Sequence, residues 1–393
     1  MFQHQGYRWF WGNILLGSLG SSLESMIQGW AVLELTNSPF WVGVAAGLRG
    51  IGTLLCSFIG GVVADRVNRR TVLILVQVIA GILGMTLGFL QASHRLQLWH
   101  LLGATFLQGV MHGISNPTRN ALTFDLVGVT ALLNAMAANQ IAGDLLRIPG
   151  PILGGYIIAY GGIEGAYFLL GGSYFIASLA LLPIRGISSQ ALPRTSLWKN
   201  LREGLSYTWN HSSIRPLLAM SLMAETFGFS YKFLLPVFAR DILGVGASGL
   251  GFMTSATGLG ALISALIMAN LGRVRDRARL LLITVAGFGI SLILFSFSFH
   301  FLLSLLFLAC IGGMTSAYDA TMGTIIQTAS RNEMRGRVLG IYGFTFGMNP
   351  VGGFQSGLIA NILGAPVAVA FGGVIVALAA LRLTKLTKLL SDE

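Results

Sequence analysis

The sequence predicts an all-α membrane protein of twelve transmembrane helices in two pseudo-symmetric six-helix bundles. Composition, the alternation of basic and neutral connectors, and an internal repeat predict it. Of 393 residues, 54% are hydrophobic and only 10% charged, and the mean hydropathy is +0.74. A soluble domain carries roughly 25% charged residues. So few charges could not cover a water-facing surface, whereas in a bilayer lipid solvates most of the exterior. The 52 glycines fit that environment, because small residues let membrane helices approach closely. The 10 prolines leave most spans unbroken.

A crossing needs about 20 mostly apolar residues. Polar punctuation places the spans at 8–34, 40–64, 71–92, 98–122, 132–160, 165–184, 214–238, 248–271, 280–299, 301–328, 338–361 and 365–383. The first opens with Tyr7-Arg8-Trp9 and runs past signal-peptide length, so it reads as a retained helix. Alternate connectors are basic: Arg66, Arg69 and Arg70; Arg185, Arg194, Lys199, Arg202 and Arg215; Arg273, Arg275, Arg277 and Arg279; Arg331, Arg335 and Arg337; and, in the tail, Arg382, Lys385 and Lys388. The other connectors hold little beyond Arg95 and Arg240. The positive-inside rule makes the basic set cytoplasmic, which puts both termini there and requires an even number of spans. The net charge of +11 is then a topology signal rather than a nucleic-acid footprint.

The longest connector, 185–213, contains the amphipathic stretch Leu197-Trp198-Lys199-Asn200-Leu201-Arg202, expected to lie on the cytoplasmic face. It separates a bundle at 1–184 from one at 214–393. The halves echo each other. Pro149-Gly150-Pro151-Ile152-Leu153-Gly154-Gly155 stands in span five and Asn349-Pro350-Val351-Gly352-Gly353 in span eleven. Such repeats place a substrate site between the halves near mid-bilayer.

Between spans two and three stands Gly61-Val62-Val63-Ala64-Asp65-Arg66-Val67-Asn68-Arg69-Arg70. It resembles the signature loop G-x3-D-R-x-G-R-R of the major facilitator superfamily, matching at Gly61, Asp65, Arg66, Arg69 and Arg70. Asn68 replaces the usual Gly, and Asn tolerates the left-handed conformation expected there. The run Asn116-Pro117-Thr118-Arg119-Asn120-Ala121-Leu122, then Asn134-Ala135 and Leu146-Arg147-Ile148-Pro149-Gly150-Pro151, is similar to the pattern of that superfamily's enterobactin-exporter and macrolide-efflux branch. The resemblance implies the major facilitator fold and proton-driven export of small amphipathic molecules (siderophore-like, macrolide-like or drug-like). It also implies a latch between the halves at the signature loop and gating at Pro149, Gly150, Pro151 and Gly154.

Ionisable residues inside spans are costly and suggest function: Glu24, Arg49, Asp144, Arg147, Glu225, Lys232 and Asp319, joined by His112. Glu24 and Gln28 share a face among Ser21, Ser22 and Ser25. Glu24 is the expected main coupling carboxylate, and Arg49 either pairs with it or binds an anionic group. Asp144 and Arg147, three apart, can pair as a proton-sensitive switch or a neutral structural pair, and the branch pattern implies that Arg147 holds span five against its neighbours. Glu225 and Lys232 lie two turns apart among aromatics suited to an amphipathic ligand or a cation. His112 reads as a proton relay or an interior histidine satisfied near Gln108 and Asn116.

There is no P-loop, metal-ligand cluster or nucleophile elbow, and Cys56 and Cys310 read as free thiols in apolar stretches. The expectation is a transporter and not an enzyme, with no cofactor and no metal, powered by the proton gradient. Its partners would be a small-molecule substrate, protons and membrane lipid, with no nucleic acid, and it would act as a monomer in a bacterial cytoplasmic (inner) membrane. A lysophospholipid flippase, a nutrient importer, or a transport-dead sensor or assembly factor are the alternatives on the same fold.

Overall fold

The computed structural model describes residues 5–184, 197–270 and 276–391, with side chains at all of these except 58–59, 61–66, 197–201 and 383–391. Among the described residues all regular structure is helical. The elements are α1 (Gln5–Thr36), α2 (Pro39–Arg66), α3 (Arg69–Ala92), α4 (Leu98–Leu145), α5 (Pro149–Leu179), α6 (Leu197–Asn210), α7 (Ile214–Met223), α8 (Tyr231–Val237), α9 (Gly246–Asn270), α10 (Arg277–Ser296), α11 (Phe301–Ala329), α12 (Arg335–Thr345), α13 (Asn349–Leu363) and α14 (Ala365–Ser391). Two π-helical turns, Ala224–Gly228 and Phe238–Ile242, flank α8, and a 3-10 turn, Phe346–Met348, joins α12 to α13.

Seven helical stretches among the described residues are long and apolar enough to cross a membrane: Pro39–Ser57, Arg69–Ala92, Leu98–Leu179, Gly246–Asn270, Arg277–Ser296, Phe301–Ala329 and Ala365–Arg382. Leu98–Leu179 bends sharply at Gly128 (φ 68°) and Gly162 (φ 71°). These backbone angles favour glycine, which has no Cβ to clash, and both bends fall where the sequence predicts a connector. Helix α1 is more polar, and the runs 214–242 and 335–363 are interrupted by the π and 3-10 turns.

The chain forms two compact units. The first comprises Met1–Leu192 with Val245–Ser255, and the second Pro193–Gly244 with Ala256–Glu393. In the first, α2 and α4 meet backbone to backbone. A Cβ on Gly109 would collide with the Arg49 carbonyl oxygen, and one on Gly113 would stand 2.7 Å from that of Thr53. Spacing by four places both glycines on one face of α4. Tyr7, Phe10 and Ile14 of α1 pack with Leu73, Leu122 and Leu181 in an apolar core. Beside it the buried Asn13 amide donates to Gln77 Oε1 (2.8 Å) and Ala177 O (2.7 Å), tying α1 to α3 and α5. In the second unit Phe238 packs on Phe295 (centroids 4.6 Å apart) and Phe229 on Phe288 (5.3 Å).

Asn68 differs from expectation. Its φ is −57°, not left-handed, and its side chain accepts from the Arg70 and Thr71 amides, capping α3. An N-cap satisfies otherwise orphaned amides at a helix start, and that explains an Asn here.

Candidate functional site

Among the described residues, each unit carries a cluster of polar side chains around a buried glutamate. In the first it is built on the polar stripe of α1. Glu24 is 5% exposed. Its Oε1 lies 3.4 Å from Arg49 Nη2 on α2, and its Oε2 accepts a 2.6 Å hydrogen bond from the Tyr174 hydroxyl on α5. Tyr174 reaches Glu24 because α1 carries Gly20 where the helices cross; a Cβ there would stand 2.9 Å from the tyrosine ring. One turn beyond Glu24, Gln28 donates to Thr105 Oγ1 on α4. Thr105, Gln108, His112 and Arg119 recur at helical spacing along one face of α4. His112 is accessible on that face, within electrostatic reach of Arg49 and Arg119.

The second unit's cluster centres on Glu225, which is 2% exposed and sits in the π turn Ala224–Gly228. Its Oε2 accepts from Asn349 Nδ2 at 3.3 Å, while its Oε1 is buried without a hydrogen-bond partner. Asp319 of α11 and Lys232 of α8 lie within electrostatic reach. The phenols of Tyr318 and Tyr342 feel the charge of both carboxylates. Lys232 is exposed, with its ammonium 4.5 Å above the Phe229 ring. The π turn is held in part by the Phe229 amide bonding to Ala224 O, five residues back. Gly352 of α13 allows the close approach, since a Cβ there would collide with the Thr226 carbonyl oxygen. π turns are rare and frequent at functional sites.

Asp144 and Arg147 pair at 3.1 Å and Gln140 donates to the same carboxylate, but the two side chains are 44% and 59% exposed. Arg147 therefore does not clamp its helix against neighbours, and its neighbourhood is the turn that separates α4 from α5. Pro149 starts α5, where a missing amide costs nothing. Gly150 and Gly154 face Ser22, Leu23 and Met26 of α1, so the Gly-Pro run rests beside Glu24. Pro151 is buried, and a Cβ on Gly251 would stand 2.5 Å from its carbonyl oxygen.

In the signature loop, Arg69 is 3% exposed and pairs with Asp125 of α4 at 2.5 Å. Arg70 donates to the carbonyls of Leu181 (2.9 Å) and Leu182 (2.7 Å). Both fasten parts of the first unit to one another. Gly61, Asp65 and Arg66 lie outside the residues whose side chains are described, as do Arg185, Arg194, Lys199, Arg273, Arg275, Lys385 and Lys388.

Sequence reasoning passes over Arg119, Tyr174, Asn349, Tyr318 and Tyr342. Arg119 falls within a predicted span and so carries the usual signal of an intramembrane charge, masked by its place in a loop-like motif. A tyrosine in an apolar helix carries no such signal.

The model of the transmembrane secretion effector family matches residues 1–392. Among curated proteins the chain is 27% identical over 331 residues to the enterobactin exporters EntS of Escherichia coli O81 (strain ED1a) and Shigella dysenteriae serotype 1 (strain Sd197), covering 84% of this chain and 77% of each relative. Among solved structures it is similar to a bacterial homologue of the lysosomal transporter Spinster (TM-score 0.79, 12% identity, 98% and 96% of the two chains covered). A bacterial homologue of the iron transporter ferroportin is also similar (TM-score 0.76, 17% identity, 98% of each chain). At these identities the solved structures speak to the fold alone. The family and its relatives are transporters, not enzymes. With the match running from end to end, this multi-pass membrane protein belongs to the transmembrane secretion effector family of major facilitator transporters.

Proposed function

We propose that the chain is a proton-coupled exporter of small amphipathic molecules working by alternating access in a bacterial cytoplasmic membrane. In this reading it acts as a monomer with both termini cytoplasmic, and two six-helix bundles, 1–184 and 214–393, rock about a central site. The exporter relatives support the direction of transport.

The observation that carries the coupling is Glu225. Glu225 is 2% exposed with one oxygen unpartnered; Asn349 and Lys232 favour its charge and Asp319 opposes it, but the lost hydration is the largest influence and makes the site a poor resting place for negative charge. A proton relieves both the lost hydration and the repulsion. Glu24, the sequence's first choice, already has Arg49 and Tyr174 to hold its charge. We therefore assign the coupling proton to Glu225 with Asp319. Protonation can drive the cycle only by favouring one state over the other.

The test is uptake into inside-out vesicles energised by a proton gradient. The panel is a siderophore, a macrolide, a cationic dye and a lysophospholipid, with and without protonophore. Protonophore-sensitive accumulation by wild type and its loss in Glu225→Gln is the expected result. Accumulation indifferent to the protonophore, or an undiminished Glu225→Gln response, defeats the assignment.

A further inference from the structure

We propose that Arg119 is the receptor for an acidic oxygen group, a carboxylate or a similar anion, carried by the exported molecule. The word "exported" rests on the function proposed above; the binding does not.

Arg119 is held differently from Arg49, Arg69 and Arg70. Arg69 has Asp125, Arg70 has two carbonyls, and Arg49 has Glu24. Arg119 has no carboxylate or carbonyl partner among the described residues, and its Nε is sealed from solvent without a hydrogen bond. Its neighbours are Gly17 of α1, 3.8 Å from Nη2 to a Cβ built there, and the Tyr174 phenol within electrostatic reach. Neither supplies negative charge.

The surroundings sharpen the imbalance. Arg49 and Arg119 face one carboxylate, Glu24, and that carboxylate is already engaged. The fixed charges of the cluster thus sum to one excess positive charge, with His112 taken neutral. Four other buried polar atoms of the first unit lack partners among the described residues, Asn13 Oδ1, Gln108 Oε1, Asp125 Oδ2 and the Tyr167 hydroxyl, and of these Gln108 lies on the same face of α4 as Arg119. Tyr167 also feels the charge of Glu24.

An unbalanced cation within a membrane domain is expensive and marks a ligand or ion pathway. A guanidinium is a planar fork whose parallel N–H donors match the two oxygens of a carboxylate. The ring of Tyr174, the one tyrosine within its electrostatic reach, is partly exposed and offers an apolar face to the remainder of an amphipathic molecule. The cluster is therefore built for a cargo with an acidic end, and it disfavours one with an ammonium group.

The experiment uses the full-length protein purified in detergent, without any gradient. Three fluorescent probes of similar size differ in one group: dansylglycine (carboxylate), its glycinamide (neutral) and dansylethylenediamine (ammonium). Dansylglycine should bind saturably, and the other two at least about tenfold more weakly, as expected for a lost charge-assisted hydrogen bond. Arg119→Gln should weaken dansylglycine by a similar factor. Arg119→Lys, which keeps the charge but not the fork, should weaken it less. Equal affinity for all three probes, a preference for the ammonium, no saturable carboxylate binding, or an Arg119→Gln protein that binds like wild type would each overturn the proposal. Because no gradient is present, failure of proton-driven uptake in vesicles leaves this result standing, and failure here leaves the coupling reading standing.

Discussion

The Tyr174 hydroxyl donates to Glu24 Oε2 at 2.6 Å, across 150 residues of sequence. The bond joins α5 to α1 beside the place where Arg49 approaches the other carboxylate oxygen. A buried carboxylate is therefore held from two sides by groups on two further helices, so its loss of one partner has a measurable cost.

Tyr174→Phe removes only the donor. Equilibrium unfolding in micelles should show a loss of about 1–3 kcal/mol, the range for a charge-assisted bond. An unchanged midpoint would mean that water replaces the phenol without penalty.

The Arg69–Asp125 pair, with side chains 3% and 5% exposed, should behave as a buried ion pair. Arg69→Met or Asp125→Leu alone should cost about 3–5 kcal/mol, because a lone charge is left behind. The double variant should recover most of that. A double-mutant cycle with no coupling between the positions would contradict the geometry.

By contrast, Asp144→Ala should cost well under about 1 kcal/mol. Its pair with Arg147 has side chains 44% and 59% exposed, and an ion pair that water reaches contributes little and is screened by salt. The same unfolding series gives the value, and a loss comparable to Asp125→Leu would place the pair in a protected environment after all.

Gly109→Val should abolish stable protein or cost at least about 3 kcal/mol, since the new side chain must displace the Arg49 carbonyl. Gly103→Ala, on the same helix with nothing within 4 Å, should be neutral or slightly stabilising. Monodispersity on size exclusion and the unfolding midpoint distinguish the two. Equal behaviour would show that α2 and α4 can separate at no cost.

The fold was legible because bilayers impose long-range regularity. Apolar length, arginine-rich connectors and two Gly-Pro repeats survive in one dimension. Pairings were less so. The choice between Glu24 and a ligand as partner for Arg49 depends on how α1 crosses α2, which no local pattern encodes. The π turn at Glu225 was invisible because its i→i+5 bonding leaves the composition of a helix unchanged. Asp144 and Arg147 were correctly readable as a pair, since both sit on one helix. Their exposure was not, because it depends on what lies opposite.

The same π turn has a genealogical consequence. Such a turn accommodates one residue more than an α turn does, so the stretch Ala224–Gly228 behaves as a single-residue insertion absorbed without breaking the helix. Each residue advances an α-helix by about 100°. Deleting one residue here would restore ordinary winding and leave the flanking segments facing much as before, whereas the same deletion in a plain α-helix would turn one side against the other by about that angle. A homologue one residue shorter at this point would keep the same flanking faces, and a gapless alignment across 224–228 would pair residues that face different directions.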